Sequence, residues 1–171
     1  MNRTIITMIV AASWVTACLV AEHFAGIYQP SETTGRMGNL CGLIGSFTLI
    51  GWIVTLPGLA VPATMLRRFW SGLAVALAAA LALGLAKYLY FSLVWGDFSS
   101  LMAEFTEATL RARGDEVNHI HSFVTSVRQS WQTHRIVVNS FLTLFVWGGV
   151  FALLVAAMTT GINRVRAGIS R

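Results

Sequence analysis

Polar and charged residues are so thinly spread along this chain that four apolar stretches dominate its pattern, at residues 4–25, 40–65, 70–95 and 141–162. A hydrocarbon core about 30 Å thick takes about 20 helical residues to cross. Each stretch is long enough. No segment shows the sustained two-residue alternation of a half-buried strand. Pro57, Gly58 and Pro62 fall late in the second stretch and predict a kink there, because proline removes backbone donors. Between the third and fourth stretches, residues 96–139 change character. Phe98, Leu101, Met102, Phe105, Ala108 and Ala112 recur at three- and four-residue intervals, as do Val117, Ile120, Val124, Val127 and Trp131. Two amphipathic helices are predicted, separated by Gly114-Asp115, with Glu107 and Arg111 pairing one turn apart in the first. The expected fold is all-α: a polytopic membrane protein built as a four-transmembrane-helix bundle. It forms one membrane domain over residues 1–171, with the amphipathic helices in the outer loop between spans three and four.

Helices in lipid associate where small residues let backbones approach. Each stretch offers small residues four apart: Ser13, Ala17, Ala21 and Ala25; then Gly38, Gly42 and Ser46. The third and fourth offer Gly72, Ala76, Ala80 and Gly84, and Gly148, Ala152, Ala156 and Thr160. A compact bundle seamed along these ridges is expected.

Composition agrees with the pattern. Of 171 residues, 56% are hydrophobic and only 11% charged, against a usual charged share of about 25%. So few charges cannot clothe a soluble globule, which excludes a soluble enzyme, and the scattered arginines do not form the patch a nucleic acid needs. The lipid bilayer is the expected environment, with a membrane-protein partner or a second copy of the chain as the expected associates. Arg3, Arg67, Arg68, Arg164, Arg166 and Arg171 collect on one side of the spans without any acidic residue. On the other side, Arg36, Arg111, Arg113, Arg128 and Arg135 are accompanied by all seven carboxylates. Basic residues in short loops mark the cytoplasmic face, so both termini are assigned there and residues 96–139 to the outer side. Tyr28, Tyr88, Tyr90, Trp95 and Trp131 are placed as an aromatic belt at that outer boundary. Cys18 and Cys41 lie inside apolar runs and suit small buried hydrophobes better than a redox pair. Val15-Thr16-Ala17-Cys18 matches a bacterial lipobox, but apolar sequence continues past the cysteine, which favours an uncleaved first helix.

Lys87 is the sharpest chemical feature, because a charge within a membrane helix is costly. At 100° per residue it falls near the Gly72/Ala76/Ala80/Gly84 ridge, which directs it into the bundle. Glu22, near the outer end of the first span, is its expected partner, and the two form a candidate intramembrane polar pair. His23 is expected beside Glu22 at the same boundary. Glu116, His119, His121 and His134 are the only metal-like grouping. On a helix, however, His119 and His121 point about 200° apart and cannot share an ion. No phosphate loop, nucleophile elbow or zinc-protease motif is present, so neither catalytic residues nor a cofactor are expected.

From Gly72 to Arg166 the order of parts runs through Trp95-Gly96-Asp97-Phe98, an amphipathic helix and Arg113-Gly114-Asp115-Glu116. A second polar helix and a Gly148-containing span with a basic end follow. This half of the chain resembles an uncharacterised family of four-helix bacterial inner-membrane proteins, a domain of unknown function. The resemblance implies a bacterial inner-membrane location and no particular activity. The functional expectation is a non-enzymatic accessory or interaction subunit whose outer helices dock a partner or the bilayer. The alternative is a small transporter or channel component organised around Lys87 and Glu22, and a more distant one a metal-dependent membrane enzyme.

Overall fold

The computed structural model describes residues 3–26, 28, 40–55 and 64–169, with backbone alone at 40–42 and 164–169. Arg36, Gly38, the kink expected at Pro57, Gly58 and Pro62, and the side chains of Arg164, Arg166 and Arg171 lie outside the described residues. Six helices follow in order: α1 (Arg3–Phe24), α2 (Leu40–Thr55), α3 (Met65–Leu93), α4 (Phe98–Arg113), α5 (Val117–Ser130) and α6 (Thr133–Ile169). Every regular element among the described residues is a helix. Three helical segments are long and apolar enough to cross a membrane: Arg3–Phe24, Met65–Leu93 and Thr133–Asn163. The 16 described residues of α2 are as apolar as these, but at 1.5 Å per residue they reach only about 24 Å.

The boundaries differ from the sequence expectation at two places. The third span begins at Met65 rather than residue 70, so Arg67 and Arg68 belong to its first turn. Thr64 caps this turn, its hydroxyl accepting from the Arg67 amide at 3.3 Å. Arg68 is buried and donates from Nη1 to the Val54 carbonyl at 2.6 Å. That carbonyl is in the last turn of α2, where the ladder leaves oxygens without intrahelical donors. The last helix begins at Thr133 rather than residue 141, so the amphipathic segment ends earlier than its composition suggests.

Within the bundle, α2 and α3 occupy the middle, each packed on α1 and on α6 as well as on each other. The tightest seam joins α3 to α6. A Cβ on Gly72 would stand 2.8 Å from the Ala152 Cβ, and one on Gly148 would stand 2.8 Å from the Ala76 Cβ. The two small-residue ridges therefore interlock antiparallel, as the sequence expects. The α1 ridge does not. Ser13, Ala17, Ala21 and Ala25 are exposed, and Ala11, Val15, Leu19 and Glu22 face the bundle instead. The two stripes are two residues, or about 200°, apart on the helix. Small residues permit close approach but do not compel it, and here the stripe with more side chain to bury turns inward. Cys18 lies mid-helix and half-buried.

The amphipathic helices form a hairpin, closed by Gly114 at φ 80° with its amide donating to the Leu110 and Arg111 carbonyls. Glu107 and Arg111 pair at 2.6 Å on its surface. The two helices bury Leu110 and Ile120 largely against each other. Only the near end of the hairpin joins the bundle, where Phe98, Met102, Val127 and Trp131 pack with Leu19, Tyr28, Phe91 and Ile136. This joint corrects the aromatic-belt assignment. Tyr28 is buried and Trp95 and Trp131 are half-buried in the joint, leaving Tyr88 exposed as a belt residue would be. Edge-to-face contact with Phe91 and Phe98 removes more ring from the surroundings than an interfacial position would.

Candidate functional site

Three inward stripes carry polar residues to the same end of the bundle. On α1, Ala11, Val15 and Leu19 lead to Glu22. On α3, Ala76, Ala80 and Leu83 lead to Lys87. On α6, Ile136, Ser140, Leu144, Gly148, Ala152 and Ala156 are all buried at strict four-residue spacing, and Ser140 is the polar member. Helical periodicity thus points all three polar groups inward; none is there by a loop's accident. The ends that meet are the C-termini of α1 and α3 and the N-terminus of α6, next to the hairpin joint.

Glu22 is 6% exposed and Lys87 4%. Lys87 Nζ donates to Ser140 Oγ at 3.0 Å. The Tyr28 hydroxyl donates to Glu22 Oε2 at 2.6 Å. The carboxylate and the ammonium attract each other across the cluster. Burying such charges is tolerated only where hydrogen bonds and opposite charge replace water, and this cluster provides both. Tyr28 lies beyond the end of α1. Burial first, and then the bond to the Glu22 carboxylate, hold its hydroxyl well above the usual tyrosine pKa, so it stays a donor at neutral pH.

A second polar chain adjoins the first. The Trp95 indole N–H donates to Tyr90 Oη at 2.8 Å, and Tyr90 Oη lies 2.8 Å from His23 Nδ1. His23 therefore engages α3 through Tyr90 rather than Glu22, and its ring also meets Tyr90 edge-on. Sequence reasoning singled out Glu22 and Lys87 but missed Tyr28, Ser140 and Tyr90. For Ser140 a signal existed, because stepping the Gly148 ridge back by fours reaches it. Tyr28 carried none, since its contact depends on how the chain turns after α1.

The metal-like residues are scattered over solvent-facing positions. Glu116 stands at the N-cap position of α5 without a side-chain capping bond, His119 and His121 are exposed on that helix, and His134 is exposed at the start of α6. Among the described residues no three of the histidines, cysteines and carboxylates stand together as a metal site would require. The chemistry the structure does assemble is a shielded carboxylate–phenol and ammonium–hydroxyl cluster. Comparison with protein-family models, curated proteins and solved structures finds no match for this chain.

Proposed function

We propose that this chain is a multi-pass integral membrane protein and a non-enzymatic interaction subunit whose α4–α5 hairpin docks a membrane-protein partner. In this reading α2 is a fourth and shorter span, the hairpin lies on the outer side of a bacterial inner membrane and both termini are cytoplasmic; the basic residues Arg3, Arg67 and Arg68, which have no acidic neighbours, support that orientation.

The observation that carries this reading is the hairpin itself. Phe98, Met102, Leu110 and Ile120 are covered within the hairpin and its joint, while Leu101, Ala108, Ala112 and Val117 of the apolar stripes are exposed; the other outward positions are mostly polar and suit water better than lipid. Exposed Val117 at the tip, 80% accessible, and exposed Phe123 further along α5 stand out from those polar positions. The buried cluster holds the joint at a fixed attitude to the bundle. Val117→Asp with Phe123→Asp should remove a stoichiometric copurifying protein without changing the melting temperature of the chain itself. A wild-type preparation that contains no stoichiometric companion overturns the reading.

The burial of Glu22 and Lys87 supports a second reading, a small transporter or channel component organised around them. It requires solute uptake into liposomes that disappears in Lys87→Ala.

A further inference from the structure

An open groove of about 570 Å³ runs between α1 and α3. Its base is Leu19, Ala82 and Ala86, and its rim is exposed Val20, Leu85 and Leu89. The groove exists because the short side chains of Ala82 and Ala86 lie beside the row of leucines at Leu81, Leu85 and Leu89. Both helices run in the same direction, and the groove ends at their C-termini against His23 and Tyr90. Thus an apolar trough leads to a polar stop.

An indole N–H only donates, so the Tyr90 oxygen accepts from Trp95. Assigning the Tyr90 proton to His23 Nδ1 gives that proton a partner, and in this tautomer the neutral imidazole carries its own proton on Nε2. His23 is exposed and lines the groove. It then presents one N–H donor at the end of a mostly apolar surface, whose other polar groups are already engaged, Thr16 Oγ1 with the Ala12 carbonyl and the Tyr90 hydroxyl with Trp95 and His23. The size is within the range of about 300–1,000 Å³ typical of small-ligand sites.

We propose that this groove holds one acyl chain of a membrane phospholipid, whose ester carbonyl accepts a hydrogen bond from His23 Nε2. The ester linkage of a phospholipid lies where hydrocarbon gives way to headgroup, and His23 stands at the matching level, at the ends of two apolar helices. The groove is continuous with the exposed apolar surface of both helices, including Phe24 and Leu93, so a bilayer chain enters it sideways. The inference rests on the membrane reading above and is independent of any partner on the hairpin.

The test uses the full chain, delipidated in detergent and offered diester and diether phosphatidylglycerols of equal chain length, with retention read by native mass spectrometry. One hydrogen bond predicts that wild type retains the ester lipid about two- to tenfold better than the ether lipid. In His23→Leu that preference should vanish. Val20→Trp, which fills the groove from its exposed rim, should lose both lipids with an unchanged melting temperature. Equal retention of the two lipids by wild type overturns the proposal, as does undiminished retention in Val20→Trp. Preferential retention of an isoprenoid quinone also overturns it. Recovery of the chain in the soluble fraction would instead overturn the membrane reading on which it rests.

Discussion

A carboxylate shielded from water at Glu22 needs a donor, and the Tyr28 hydroxyl supplies it at 2.6 Å. Hydrogen bonds to charged groups contribute about 1.5–3 kcal/mol, so Tyr28→Phe should lower stability in detergent by that order. The pH dependence has a defined sign. The folded-state pKa of Tyr28 is raised by burial and by the Glu22 carboxylate, so its stabilising contribution is complete below the unfolded value, about 10. It is lost as pH climbs from there through the folded value. Melting curves recorded between about pH 8 and pH 11 should fall more steeply for wild type than for Tyr28→Phe, and parallel curves would remove this role. At Lys87 and Glu22 the expectation concerns coupling. Glu22→Gln and Lys87→Met each leave the opposite charge buried, a loss on the order of 3 kcal/mol. The double variant should lose less than the two losses added together, because no orphan charge remains. Additive losses in thermal denaturation would mean that the two groups are screened separately.

At the scale of elements, the α3–α6 seam depends on two glycines. Gly148→Ala would place a methyl 2.8 Å from the Ala76 Cβ and 3.3 Å from Ile50 Cδ1, and Gly72→Ala would crowd Ala152 and Val54 equally. Cβ atoms fixed to helix backbones cannot swing aside, so the helices must separate. Each substitution should destabilise by about 1–3 kcal/mol, as overpacking does. Gly161 has open space around it, and Gly161→Ala should stabilise by about 0.5–1 kcal/mol through the lower flexibility of alanine in the unfolded chain. Denaturation of the three variants checks the contrast directly. A Gly148→Ala protein as stable as Gly161→Ala would show that the seam is looser than described. Trp14 forms a comparable contact between α1 and α2, its indole occupying the space a side chain at Gly45 would need.

For the whole molecule, α6 is the element whose ends test the arrangement. Its 37 residues extend about 55 Å, well beyond a hydrocarbon core of about 30 Å, so it is long enough to cross with a turn or more to spare. In a cysteine-free background, Gln129→Cys on the hairpin should react with an impermeant maleimide in intact cells. Ser170→Cys should react only after permeabilisation. Labelling of both from outside would deny that α6 crosses, and a reversed pattern would invert the orientation.

Much of this architecture was legible because lipid and helix geometry impose one-dimensional rules. Length and apolarity mark α1, α3 and α6, Gly114 ends α4, and the spacing of Gly72, Ala76, Gly148 and Ala152 sets two ridges that do interlock. Residue order alone likewise directs Lys87 inward, near the ridge through Ala76 and Ala80, while it places Glu22 only by its depth near the end of α1. What tertiary structure decided were choices between faces that a single helix presents as equals. The α1 ridge through Ser13 and Ala17 has the same spacing as the stripe through Ala11 and Val15, and only the neighbours α2 and α3 determine which is covered. Tyr28, Trp95 and Trp131 have the chemistry of an interfacial belt, and only the hairpin packed over Phe91 and Phe98 makes them a core. Tyr28 meets Glu22, and Ser140 meets Lys87 across 53 residues of sequence, because hydrogen bonds depend on positions in space. Periodicity along a chain specifies the direction of a side chain but not the partner it finds there.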